Sequence, residues 1–162
     1  MKHEIFLAFY LGRKEDNANT TLLDRLICSV TKSKYSHVEV VINFNKDGLS
    51  ECWSSSPRDG GVRRTLIDLN NGHWEVYTLK NFKFDPKEVI SFFESQEGLS
   101  YDWLGVLTVK FAWLRRLRNI DNKWFCSEIS GAALDVENYE YLHPGGLFDF
   151  FARKNMQQYL TN

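Results

Sequence analysis

At 162 residues, with 43% hydrophobic and 15% aromatic content, the chain can bury the core of one domain and offers no room for a clear second. Twenty basic against twenty-one acidic side chains leave a net charge of -1, which excludes a bulk field drawing the whole protein to nucleic acid or to an anionic membrane. No run approaches the ~18 apolar residues of a membrane span, and Met1 to Leu11 is too short and too acidic-flanked for a signal peptide, so a cytoplasmic protein is expected.

Ile5 to Leu11 is apolar enough for a first strand buried on both faces. After the polar loop Gly12 to Asn19, Thr20 or Thr21 caps a helix with the stripe Leu22, Leu23, Leu26, Ile27 and Val30, and Asp24 stands in a capping-box position. Tyr35-Ser36 leads into a strand, His37 to Ile42, in which Val38, Val40 and Ile42 share one face while His37, Glu39 and Val41 share the other. Turn residues from Asn43 to Gly48 make Leu49 to Ser54 the returning strand of a hairpin, and Ser55 to Arg63 reads as a loop. His73 to Leu79 is a further strand. Asp85 and Pro86 open a helix that Gly98 stops, and Ser100 or Asp102 caps another from Trp103 to about Leu117. A helix beginning at Cys126 follows, then Tyr139 to Leu142, the loop His143 to Gly146 and the aromatic segment Leu147 to Phe151. Strands in the first half and helices in the second give an α+β arrangement, an antiparallel sheet packed against helices, in a single domain.

Three cysteines at unpatterned spacing argue for reduced thiols over a disulfide framework. Cys126 stands out because Lys123 to Phe125 gives way there to helical spacing, with Ser127 and Glu128 in the first turn. A thiol at a helix N-terminus meets unpaired N–H groups and the positive end of the dipole, which stabilise the thiolate. A nucleophile of this kind needs a base. Among His3, His37, His73 and His143, His37 is the strongest candidate, since a strand fixes the direction of its ring. His3 is terminal, His73 lies beside a turn and His143 precedes a proline. No cysteine and histidine have zinc-ligand spacing, so neither a metal nor a cofactor is expected.

YSHVEVVI from Tyr35 to Ile42, the acidic residue in LSECWSS, YDWLGVL from Tyr101 to Leu107 and WFCSEIS from Trp124 to Ser130 together resemble the circularly permuted NlpC-type papain-like thiol hydrolases. That branch includes YiiX-like bacterial proteins and the lecithin retinol acyltransferase group. The resemblance implies a permuted papain-like fold, Cys126 as nucleophile, His37 as general base and a third polar residue that orients the imidazole. Motif position points to Glu51 for the third role. A hairpin centred near Asn45 and Lys46, however, sets His37 opposite Ser54 to Ser56, so that Glu51 needs a bulge to reach it. Glu39, with Tyr35 and Ser36 at the strand edge, is expected to line the substrate cleft. The implied reaction is hydrolysis of an amide in a peptide or peptidoglycan fragment. Acyl transfer, or attack on a lipid amide or ester, would use the same residues. An alternative of another class is a binding module built on Lys110, Phe111, Trp113, Arg115, Arg116, Arg118, Lys123 and Trp124, a basic and aromatic cluster. Nucleic acid is not an expected partner.

Overall fold

A computed structural model describes residues 4–12, 20–103, 105 and 122–160. The described residues form a mixed α/β fold with one curled sheet of eight strands: β1 (Ile5–Leu11), β2 (Tyr35–Ile42), β3 (Leu49–Ser56), β4 (Gly61–Asp68), β5 (Trp74–Thr78), β6 (Ser100–Tyr101), β7 (Lys123–Trp124) and β8 (Gln157–Leu160). Spatial order is β7-β6-β4-β3-β2-β1-β5-β8, antiparallel throughout except between β6 and β7. Four α-helices lie wholly within the described residues: α1 (Leu22–Thr31), α2 (Pro86–Gln96), α3 (Cys126–Ala133) and α4 (Pro144–Arg153). No helix among the described residues is long and apolar enough to cross a membrane.

The all-apolar β1 follows from its place in mid-sheet with both faces covered. Ile5, Leu7 and Phe9 join the helix-side core with Val38, Val40, Ile42, Phe93, Ile129 and Phe151. Phe6, Ala8 and Tyr10 join a smaller cluster on the other face with Val41, Cys52, Trp74 and Val76. The helix starts follow local chemistry. Thr21 and Asp24 form a reciprocal capping box on α1, and Asp85 accepts from Lys87 N–H with Pro86 at the first position of α2. His143 caps α4 by accepting the Gly146 N–H at its Nδ1, 3.1 Å away, which gives this histidine a structural task.

Several expectations need correction. β3 runs on to Ser56, and the stretch expected as a loop through Arg63 instead turns at residues 57–60 and enters β4. β8 was not foreseen, and the segment after His143 is a helix from Pro144. The α1 stripe is narrower than expected: Ile27 is buried, but Leu22 is 85% exposed and Leu26 42%. Ser100 lies in β6, and Asp102 takes the capping role, its Oδ1 accepting the Gly105 N–H at 2.8 Å. The remainder of the helix expected to about Leu117 lies outside the described residues. So do His3 and most of the basic and aromatic cluster from Lys110 to Arg118.

Candidate active site

The site is built where the sheet comes apart. β2 and β3 pair at only three positions, Val40 with Trp53, Val41 with Cys52 and Ile42 with Glu51. Beyond Val40 the ladder ends, and the Ser54 hydroxyl donates to the Val38 carbonyl at 2.7 Å. Ser55 donates to the Trp124 carbonyl, also at 2.7 Å, and so ties β7 and the start of α3 to β3. A bulge in β2 adds to this. Tyr10 pairs with His37 and Leu11 with Tyr35, so Ser36 is the extra residue and the facing pattern changes phase there. Tyr35 therefore joins the helix-side core with Val38, while His37 stands beside Trp74 on the other face, ring centroids 6.3 Å apart.

Cys126 is the first residue of α3, where its own N–H has no partner within the helix. Its side chain acts on the His37 ring by charge and by hydrogen bonding. The His37 Nε2 meets Glu39 Oε1 at 2.7 Å, which leaves Nδ1 as the nitrogen available to the sulfur. Arg63 grips the same carboxylate with two N–H groups, at 2.7 Å to Oε2 and 2.6 Å to Oε1, and its Nε donates to Asp59 at 2.8 Å. Cys126 and Glu39 are fully buried.

Charge explains how a buried histidine and a buried glutamate coexist. Burial alone would lower the His37 pKa, but the charge on Cys126 and the hydrogen bond to it, with Glu39 behind, push it up to about 10. Burial would raise Glu39, yet the Arg63 charge and its paired hydrogen bonds, then His37, hold the carboxyl at about 2. Arg63 is itself shifted upward, burial being outweighed by Glu39 and Asp59. Tyr101, on β6, is shifted upward by burial and then by the charges of Cys126 and Asp24, so its hydroxyl keeps its proton.

Of the expected residues, Cys126 and His37 are brought together. Glu51 is not with them. It pairs with Ile42, five residues along from His37 or roughly 17 Å, and cross-strand partners share a face, so it points to the helix side. There it accepts from Trp53 Nε1 at 3.0 Å and from Arg64 at 3.0 Å. Glu39 holds the place given to Glu51, because period-two alternation sets it on the face of His37. Tyr35 is also misplaced by the expectation: it is buried against Phe9 and Phe148, and its hydroxyl donates to Glu75. Ser36 does face the cleft, but its hydroxyl donates to Asp24 at 2.7 Å. Sequence reading misses Arg63 and Asp59 because the expected loop runs from Ser55 through Arg63 and the rest of β4 is given no element. The alternation of Arg63, Thr65 and Ile67 with Arg64, Leu66 and Asp68 was the available signal.

A cleft of about 540 Å³ opens onto His37 and Glu39, and Leu23, Ile27, Ile67, Tyr101, Trp103 and Trp74 also line it. Cys126, fully buried, is not part of its wall. No group of three or more His, Cys, Asp or Glu residues among those described is placed to hold a metal ion. No protein-family model matches the chain, and no curated protein matches it significantly.

Proposed function

We propose that the protein is a cysteine-dependent hydrolase that cleaves an amide bond through a thioester on Cys126, within a circularly permuted papain-like fold of the NlpC type. The observation that carries this reading is a single histidine held between a cysteine at a helix start and a buried carboxylate. The raised basicity of His37 favours imidazolium facing thiolate, the reactive form. In the first half-reaction the sulfur attacks the carbonyl carbon, and the oxyanion meets the Cys126 N–H and the protonated Tyr101 hydroxyl. His37 then gives its proton to the departing amine as the C–N bond breaks. In the second half, water loses a proton to His37 and attacks the thioester. The carboxylic acid leaves and the sulfur is released. Glu39 takes the orienting role, holding Nε2 so that Nδ1 faces the sulfur.

Peptide and peptidoglycan amides are the preferred substrates in this reading. The apolar side chains in the cleft wall, Leu23, Ile27 and Trp103 among them, favour a lipid acyl amide or an acyl transfer as the second reading. The test is intact-mass detection of an acyl adduct on Cys126 after incubation with activated amides and esters of peptide and fatty acids. An adduct that is absent from Cys126→Ala supports the proposal, and its chemistry tells the two readings apart. Absence of any adduct, with all three cysteines labelling equally slowly, overturns it.

A further inference from the structure

We propose that Arg63 is a positioning residue for the Cys126–His37 pair: by neutralising Glu39 with a two-pronged grip, it leaves the positive charge of His37 to the sulfur. The inference rests on the reading of Cys126 and His37 as a reacting pair. In that reading two cations, His37 and Arg63, face two anions, the Cys126 sulfur and Glu39, in a buried row. Remove Arg63 and one imidazolium must serve two buried anions, an uncompensated negative charge in a site of low dielectric. One anion must then take up a proton. Since Glu39 is bound to Nε2 by a short contact and shares its strand with His37, the imidazolium stays with Glu39 and the sulfur becomes a thiol.

The geometry fits this task. The Arg63 fork meets both oxygens of one carboxylate, the arrangement that fixes its plane, and Asp59 on the 57–60 turn fixes the remaining guanidinium edge. The other titratable groups around the row do not supply the missing charge. Tyr101 and Cys52 are both shifted upward by burial and stay uncharged, and Tyr10, paired with His37 across β1, is a phenol. Asp24 is an anion met by Ser36, Thr21 and the Arg58 guanidinium, which stands 3.6 Å from it and is thereby engaged, and Glu128, in the first turn of α3, is a further anion that accepts the Phe125 N–H.

The test is the amount of Cys126 thiolate as a function of pH, read as ultraviolet thiolate absorbance against Cys126→Ala and as the rate of iodoacetamide labelling. The parent protein should show thiolate from pH 6 upward. Arg63→Gln should lose it at pH 6, where an ordinary thiol of pKa ~8.5 is roughly 300-fold less ionised than a formed thiolate. Replacing the carboxylate as well, Glu39→Gln with Arg63→Gln, should restore the pH 6 signal, because one cation again faces one anion. Arg63→Lys keeps the charge and should keep the signal. A thiolate that survives Arg63→Gln overturns the proposal, and so does a double variant that stays silent. If Arg63→Gln does not fold, the double variant and Arg63→Lys decide, since loss of the signal in either one overturns it. A parent protein without thiolate at pH 6 would instead overturn the underlying cysteine and histidine pair.

Discussion

Replacing Glu39 by Gln tests the buried charge row most directly. The carboxyl sits at about 2 against an ordinary 4.5, a difference of 2.5 units. At 1.36 kcal/mol per unit this is about 3 kcal/mol of stability. Because the folded value is depressed, that contribution is fully present above pH 4.5 and is lost as pH falls through about 2. Glu39→Gln also leaves Arg63 with Asp59 as its one remaining carboxylate partner in the row, which adds to the loss. Urea unfolding at pH 7 should therefore show the variant about 3 kcal/mol less stable. In a domain of this size, that shifts the melting temperature by roughly 6–12 °C. Toward pH 2 the difference should shrink as the parent loses the same contribution. A variant within about 1 kcal/mol of the parent at pH 7, or a gap that stays constant in acid, would refute the charge row as a source of stability.

Three further variants bear on the site and its support. Glu51→Gln should leave turnover unchanged and cost no more than about 1 kcal/mol in urea, since Glu51 meets Trp53 and a half-exposed Arg64 on the far face. Tyr101→Phe should lower kcat about 100-fold with little change in KM or melting temperature, the signature of a donor used in the transition state. Gly61→Ala should destabilise by about 2 kcal/mol or more and lower turnover, because a Cβ there would overlap the Leu99 carbonyl and push β6, with Tyr101, away from β4. Circular dichroism melts together with steady-state kinetics on each variant separate the two kinds of loss.

The parts of this chain readable from sequence are those whose signal is local. Thr21 with Asp24, Asp85 with Pro86, and the apolar Ile5 to Leu11 announce themselves within a few residues, and the observed elements begin or end close to where they were expected. β4 was lost because it is half-exposed and carries two arginines, so the alternation is weak and the turn formers before it dominate. Glu51 was favoured on motif order, whereas its position depends on parity. An uninterrupted ladder from Val40 to Ile42 puts it on the helix side, and no bulge intervenes to bring it back. The bulge in β2 lies instead at Ser36, where it sets Tyr35 and His37 on opposite faces, and a single residue of phase is not visible in composition or periodicity.

The short ladder between β2 and β3 has a mechanical meaning as well. It divides the sheet into two leaves, β7-β6-β4-β3 and β2-β1-β5-β8, stitched along the backbone by three residue pairs. Cys126, Tyr101 and Arg63 belong to or follow strands of the first leaf, while His37 and Glu39 belong to the second. The contacts of Cys126 with His37 and of Glu39 with Arg63 therefore cross the join, whereas those of His37 with Glu39 and of Arg63 with Asp59 do not. Cys126 and His37 meet only while the two leaves are closed, so the proposed chemistry and the cohesion of the sheet depend on the same few bonds.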